Sequence, residues 1–388
     1  MKPKINAFSK KLSKKSYTRL HRPLAGATKH VPELKSEGNK PLSFTFDEQL
    51  NVLIYYHLQG YESGRHLIQA LEEDQMAKEL TAPEQGLKKS TFFEAINSRG
   101  LEQMLQVYDN LYHQAKAVLP DHHSSLGSIV GIDGSLITAT LSMDWADYRD
   151  EVKKAKIHLG FDVNRGIPSK FYLTDGKADE RPFASKIIEP GQTCVLDRYY
   201  QKHQDFDTWE TEQVHYVCRI KENTRVEVIY PYKTLKGSIV YFDAIVQLGS
   251  QENNQTEKPV RLVKYSIEGT HYLVATNRFD LSAEEVALIY KLRWEIEKFF
   301  AWWKRQFNVY HLIARTQYGL MVQIVSGLIT YLLLAIYCHN EYGETVNIRR
   351  VRELRANMLN EVLSSKSVHS RSKGKTSKKK RKRPRAKS

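Results

Sequence analysis

Apolar side chains recur with a helical period from Phe46 onward. Leu50, Leu53, Ile54 and Leu58 share one face, and Leu67, Ile68, Leu71 and Met76 share another, with Gly60 and Tyr61-Glu62-Ser63-Gly64 as the break between them. Two further helices are predicted over Lys89 to Ser98 and Leu101 to Leu119, parted at Arg99-Gly100. Residues 42–125 therefore read as a small all-α N-terminal domain. Ser90-Thr91 as a cap and the short turns suit a DNA-reading helix-turn-helix, and they suit a packing domain with no DNA contact equally well. At Ser128 the texture becomes that of strands. Residues 128–141, 156–163 and 169–174 are rich in β-branched and aromatic side chains, separated by turn signals such as Asn164-Arg165-Gly166-Ile167-Pro168, and predict a three-stranded meander.

Helices over 181–188 and 206–213 then alternate with strands over 193–197 and 215–220, so the body is a mixed α/β sheet. Between Glu222 and Thr276 only strand signals occur, which predicts a β-rich insertion into that body. A long helix from Ala283 to about Gln306 follows, opened by the capping box Ser282-Ala283-Glu284-Glu285. Thr316 to Cys338 contains no charged residue and has the roughly 20 residues a bilayer span needs. Gln317, Gln323, Ser326, Thr330 and Tyr331 interrupt it and no second such segment exists, so it is read as a buried core helix of a catalytic body over 126–345. Residues 346–365 are expected to form a C-terminal helix.

The charge is unevenly placed. Of a net +15, residues 1–41 carry 11 basic and 2 acidic side chains and residues 366–388 carry 12 basic and none acidic, while residues 42–365 carry a net −6. A flexible basic arm over 1–41 and a disordered basic tail over 366–388 suit a polyanionic partner, since each cation that meets a phosphate releases condensed counterions. Cys194, Cys218 and Cys338 are widely separated with no CxxC spacing, which supports neither a disulfide framework nor a thiolate zinc site and points to a reducing compartment. The N-terminus is polar and basic without a signal-type apolar stretch. A cytoplasmic, nucleoid-associated protein with no membrane partner is expected.

Candidate chemistry rests on three acids. Asp133 follows Ile129-Val130-Gly131-Ile132 and Asp197 follows Cys194-Val195-Leu196, so each is expected to end a buried strand and project into the cleft at the sheet's edge. Either alone reads better as a turn aspartate satisfied by backbone N–H groups; two such placements in one sheet shift the balance toward the cleft. The third is Glu297. Tyr290, Arg293, Glu297 and Lys304 fall within about 60° of one another at about 100° per residue, a polar stripe flanked by Trp294, Phe299, Phe300, Trp302 and Trp303. A polar stripe on so apolar a helix is expected to face a polar cleft. Carboxylates among cations suit hard divalent ions and the in-line displacement of a phosphodiester.

The spacing Tyr290, two residues, Arg293, three residues, Glu297, six residues, Lys304 resembles the signature of one group of DDE transposases from prokaryotic insertion sequences, at all four positions. Ile132-Asp133-Gly134-Ser135 resembles the context of that family's first aspartate and Val195-Leu196-Asp197-Arg198 that of its second. Lys156-Ile157-His158, Gly166-Ile167-Pro168 and Leu173 to Lys177 are similar to the segment between them, and the likeness runs from about Ser128 to Asn340. It implies a ribonuclease-H-like mixed-sheet catalytic domain with the β-rich insertion at 222–276 placed before the glutamate helix.

By the same resemblance Asp133, Asp197 and Glu297 would bind two catalytic Mg²⁺ ions, with Mn²⁺ able to substitute. Tyr290, Arg293 and Lys304 would contact transposon-end DNA. The implied activity is metal-dependent cleavage at the terminal inverted repeats and strand transfer to target DNA, by a homodimer that pairs two ends. The alternative is a catalytically inactive, transposase-derived DNA-binding protein, against which the three intact acids speak. Some relatives cut through a hairpin with a flipped base stacked on a Trp of the insertion. Here residues 222–276 hold no Trp and offer Tyr230, Tyr232, Tyr241, Phe242, Tyr265 and Tyr272 as stacking surfaces. Deleting residues 366–388 is expected to lower affinity for non-specific duplex DNA and flatten the plot of log affinity against log salt, by about 0.9 for each phosphate that the tail neutralises. An unchanged slope in a salt titration would make the tail a bystander.

Overall fold

The computed structural model describes residues 15–36, 41–139, 143–149, 152–252, 254–306 and 311–373, with only the backbone described over 365–373. It opens with α1 (Lys15–His21) and α2 (Leu24–Ala27), then α3 (Phe46–Gln59), α4 (Gly64–Glu73), α5 (Gln75–Leu80), α6 (Lys89–Ser98) and α7 (Leu101–Val118). Caps set several of the starts. Thr45 and Glu48 form a reciprocal capping box on α3, and the side chains of Ser63 and Asp74 accept backbone N–H groups at the heads of α4 and α5.

α1 and α2 correct the expectation of a flexible arm over 1–41. Tyr17 and Leu20 on α1 and Leu24 and Ala27 on α2, spaced three, four and three apart, are all buried. The basic residues around them hide that face from any reading by composition. The Ser16 hydroxyl donates to Glu361 Oε1 at 2.7 Å, tying the start of the described chain to its last helix. The rest of the predicted arm, residues 1–14 and 37–40, lies outside the described residues.

Nine strands form one sheet in the order β3-β2-β1-β4-β5-β9-β8-β7-β6. β1 (Ser128–Thr138), β2 (Lys154–Asp162) and β3 (Ile167–Asp175) are the antiparallel meander that the sequence predicts. β4 (Gln192–Leu196) runs parallel to β1, and β5 (His215–Arg219) parallel to β4. β6 (Val226–Pro231), β7 (Val240–Leu248), β8 (Val260–Ile267) and β9 (Thr270–Thr276) are the predicted β-rich segment, and they extend the same sheet, with β9 antiparallel to β5. Alternation sends Ile129, Val195 and Val217 to one face and Val130, Ile132, Cys194, Leu196, Tyr216 and Cys218 to the other. Both faces are covered, which is why these strands read as unbroken apolar runs.

The second face packs on α8 (Arg181–Ile187) and α9 (His203–Thr211), through Ile187, Phe206 and Trp209. The first face packs on α10 (Ala283–Leu292) and α11 (Trp294–Gln306), and beyond them on α12 (Gln317–Tyr342). α12 is the charge-free segment, capped by Thr316 and stopped at Gly343, whose φ of 66° suits a residue without a Cβ. It is long and apolar enough to cross a membrane and is almost wholly buried, against α3, α6 and α7. Its polar interruptions are matched from within. Gln323 accepts from Ile313 N–H and donates to the His311 carbonyl, Ser326 pairs with the His57 ring at 3.0 Å, and Thr330 donates to the Ser326 carbonyl. The N-terminal helices thus share one continuous core with α11, α12 and the sheet.

α13 (Ile348–Lys373) runs past the expected end at 365 and takes in the first residues of the expected tail, because no Gly or Pro interrupts the chain before Gly374. Residues 374–388 lie outside the described residues. Leu328, fully buried on α12, tests the core: Leu328→Ala is expected to cost about 2–5 kcal/mol in urea denaturation. Leu359→Ala on the exposed side of α13 should stay within about 0.5 kcal/mol of the parent.

Candidate active site

The site begins where two parallel strands part. The last paired residues of β1 and β4 are Gly131 and Val195, and Asp133 and Asp197 each stand two residues further on. The shared register gives both carboxylates the same starting face at the same level of the sheet. Asp197 ends its strand as expected and accepts from Tyr199 N–H at 2.8 Å, heading a short 3₁₀ turn. Asp133 corrects the expectation of a strand end. β1 continues to Thr138 because the β2 hairpin carries it onward, with Asp133 opposite Leu159, so its carboxylate sits on the flank that β4 has left.

The predicted helix from Ala283 to Gln306 is in fact two. At Arg293 the bonding tightens to three-residue spacing, with Arg293 N–H on the Tyr290 carbonyl and Ile296 N–H on the Arg293 carbonyl, both at 3.2 Å. The sequence carries no Gly or Pro there to announce the break. Ile296 fixes α11 over β1: a Cβ built on Gly131 would lie 3.6 Å from its side chain. Phe299, Phe300 and Trp303 anchor the same helix in the core, whereas Trp294 is 58% exposed.

Arg293 is the link between the strands and this helix. Its Nη2 lies 2.6 Å from Glu297 Oε1, and its guanidinium stands 5.7 Å from the Tyr290 ring centroid. Burial works against the charge of Arg293, but Tyr290, Glu297 and Asp133 outweigh it and hold the group above its ordinary range. Its Nε is buried with no hydrogen-bond partner among the described residues. Tyr290 is only 5% exposed, packed on Tyr272 of β9, and burial raises its phenol. Lys304 is half-buried, which lowers its ammonium, while Asp133 pulls the other way.

Burial pushes Asp133 from 3.8 up to about 7, and the nearby charges of Glu180 and Asp197 push in the same direction against the Gly134 N–H and Arg293. Asp133, Asp197 and Arg293 with its partner Glu297 are therefore gathered into one electrostatic neighbourhood, with Lys304 on its border. Among the described residues no three acidic, imidazole or thiol side chains already stand at ligating distance. The donor set nonetheless fits a hard divalent ion. Every member is a carboxylate, and neither Asp133 nor Asp197 has a cation within ion-pair distance among the described residues.

Sequence reasoning missed Glu180. It precedes α8, forms an ion pair with Lys156 at 3.2 Å and accepts from the Tyr200 hydroxyl at 3.3 Å. It ends no strand and belongs to no spaced motif, so only the folded chain brings it beside Asp133.

Residues 124–333 match the family model of the transposase DDE domain. The chain is 28% identical over 206 residues to a probable transposase for insertion sequence element IS5377 of Geobacillus stearothermophilus, covering 52% of this chain and 55% of that protein. It is 25% identical over 211 residues to a putative transposase, y4zB, of Sinorhizobium fredii, covering 53% and 59%. A putative transposase for insertion sequence element IS4SA of Synechocystis sp. is 25% identical over 246 residues, covering 60% and 67%. The chain thus spans a little over half the length of the first two relatives. A piggyBac transposase synaptic complex with hairpin DNA is similar to it in structure with a TM-score of 0.43 and 12% identity, over 97% of this chain and 82% of that one.

The folded chain holds a proton on Asp133 up to pH about 7, while the unfolded chain releases it near 4. Stability in EDTA is therefore expected to fall as pH rises through that window, since the folded state binds the extra proton there. Asp133→Asn should raise stability at pH 8 by about 2–4 kcal/mol and by nothing measurable at pH 4. Thermal melts at the two pH values check this, and an equal effect at both would refute it.

Proposed function

Because this chain belongs to the transposase DDE domain family, we propose that it is an insertion-sequence transposase, cutting phosphodiester bonds at the ends of its element and joining the freed 3′ ends to target DNA. The observation that carries this reading is the equal register of Asp133 and Asp197 beyond the last β1–β4 pair, with the Arg293–Glu297 pair set against Asp133. The order of the antiparallel meander and the parallel strands β4 and β5, with acids on neighbouring β1 and β4, supports a ribonuclease-H-like catalytic fold. The spacing of Tyr290, Arg293, Glu297 and Lys304 supports the group of the family that carries this signature.

The family works with divalent metal ions. Asp133, Asp197 and Glu297 would hold them here, and we assign two Mg²⁺, with Mn²⁺ able to substitute. Bound there, such ions activate the attacking oxygen and stabilise the departing one in an in-line displacement. The chain's own residues prepare the DNA. Arg293 keeps an unspent buried donor, and with Lys304 it offers charge to backbone phosphates, fixing the register of an end without reading its bases. Tyr290 lies against the guanidinium and positions it, besides any phosphate it meets itself. Glu297 is bonded to Arg293, so a phosphate that takes the guanidinium also releases that carboxylate.

The natural partners are the terminal inverted repeats and target DNA, handled by a homodimer that pairs two ends. Tyr230 and Tyr241, both about half exposed on the outer strands β6 and β7, stand where the predicted stacking surface would be. Nothing in the site favours the non-cutting alternative, since all three acids are present. Glu297→Ala is expected to lower Mg²⁺-dependent cleavage of a plasmid carrying the element's ends by about 100-fold or more. Gel-shift affinity for the same ends should stay within about threefold. Undiminished cutting would refute the assignment.

A further inference from the structure

The fourth acid at the site has a setting that an ordinary surface ion pair does not require. Glu180 comes from the α8 side of the sheet, while α11 brings Glu297 from the other side. It reaches β1 because Gly134 has no side chain. A Cβ built there would lie 2.5 Å from the Glu180 carboxyl carbon and 2.7 Å from both of its oxygens. The bare α-carbon lets the carboxylate lie against the residue that directly follows Asp133.

Glu180 is also held still. Oε1 faces Lys156 Nζ at 3.2 Å, Oε2 accepts from Tyr200, and Lys156 is itself fixed by donating to the Ala178 carbonyl at 2.9 Å. These bonds leave lone pairs on both oxygens unspent, since a carboxylate has about four acceptor positions. Among the described residues the acids Asp133, Asp197, Glu180 and Glu297 gather here with the cations Lys156, Arg293 and Lys304. Crowding like charges at a half-buried site is unfavourable unless something they share offsets it.

We propose that Glu180 is a fourth carboxylate of the cation centre, facing the divalent ion from the Asp133 side through the gap at Gly134. This rests on the reading of Asp133, Asp197 and Glu297 as a divalent-cation site and adds to it a positioning acid carried on the opposite layer of helices. Lys156 then acts as a placeholder, neutralising Glu180 while the centre is without an ion. A plain structural pair would make Glu180 and Lys156 equivalent; a cation-facing acid makes them opposite.

The test is a calorimetric Mn²⁺ titration of the full-length protein without DNA, comparing wild type with Glu180→Gln, Lys156→Gln, Asp133→Asn and Asp197→Asn, with melting temperatures in EDTA as the measure of folding. Glu180→Gln keeps the shape and the acceptor for Tyr200, and it is expected to weaken Mn²⁺ binding by about 10-fold or more at an unchanged melting temperature. Lys156→Gln should bind Mn²⁺ as tightly as wild type or tighter. The proposal is overturned if Glu180→Gln binds like wild type while the two aspartate variants have lost the ion. It is equally overturned if Lys156→Gln weakens binding as much as Glu180→Gln, which would mark the pair as scaffold. If the aspartate variants also bind like wild type, the cation reading of the centre fails, and this inference fails with it.

Discussion

The whole arrangement depends on holding like charges together at the point where two hydrogen-bonded strands separate. Asp133 and Asp197 occupy equal register on β1 and β4, and no backbone pairing lies between them to relieve the repulsion. What keeps them there is indirect. β2 holds β1 straight through Asp133, the 3₁₀ turn fixes Asp197 through Tyr199, and Ile296 presses α11 onto Gly131. α11 is in turn fixed by Phe299 and Trp303, with the Phe299 ring edge-on to Tyr331 of α12 at 4.9 Å. The acids are thus supported by a core that reaches into the N-terminal helices, and the burial that immobilises them is also what lifts Asp133 toward neutrality.

Much of this was legible in the sequence because it is local. Runs of β-branched residues marked β1 to β5, the capping box at Ser282 marked α10, and the polar stripe on an apolar helix singled out Arg293 and Glu297. The central helix was legible as well, since its polar residues are too few and too uncharged for a surface and, as Ser326 with His57 shows, are matched inside the core. Other features depend on the meeting of distant parts of the chain. Glu180 is an ordinary acid before a short helix until β1 arrives beside it with a glycine at the right place. The break at Arg293 follows from seating α10 and α11 on the sheet, not from any helix breaker. α1 and α2 were concealed by composition: four apolar residues at helical spacing among basic ones look like a solvated arm unless their partners on α7, α12 and α13 are known.

The charge arrangement makes the active site conditional rather than finished. Glu297 is bonded to the residue best suited to seize a phosphate, and Glu180 to the lysine that neutralises it. Each outer acid carries its own counter-charge, while the two strand acids carry none among the described residues. On the proposed reading, phosphate groups and cations entering together would exchange partners with these pairs at little electrostatic cost, whereas either alone would leave charge unbalanced. Binding of the two would then be coupled through the same side chains.

The placement of α12 near the end of the chain has a consequence for biogenesis. Helices α3, α6 and α7 leave the ribosome first, yet the element that fills the space between them spans Gln317 to Tyr342, about 200 residues after α7 ends. Until that element emerges, their apolar faces have no permanent cover, and the nascent chain must remain loosely collapsed or shielded through most of its translation. A chain that stops before α12 would leave those apolar faces uncovered, a hydrophobic surface open to proteolysis.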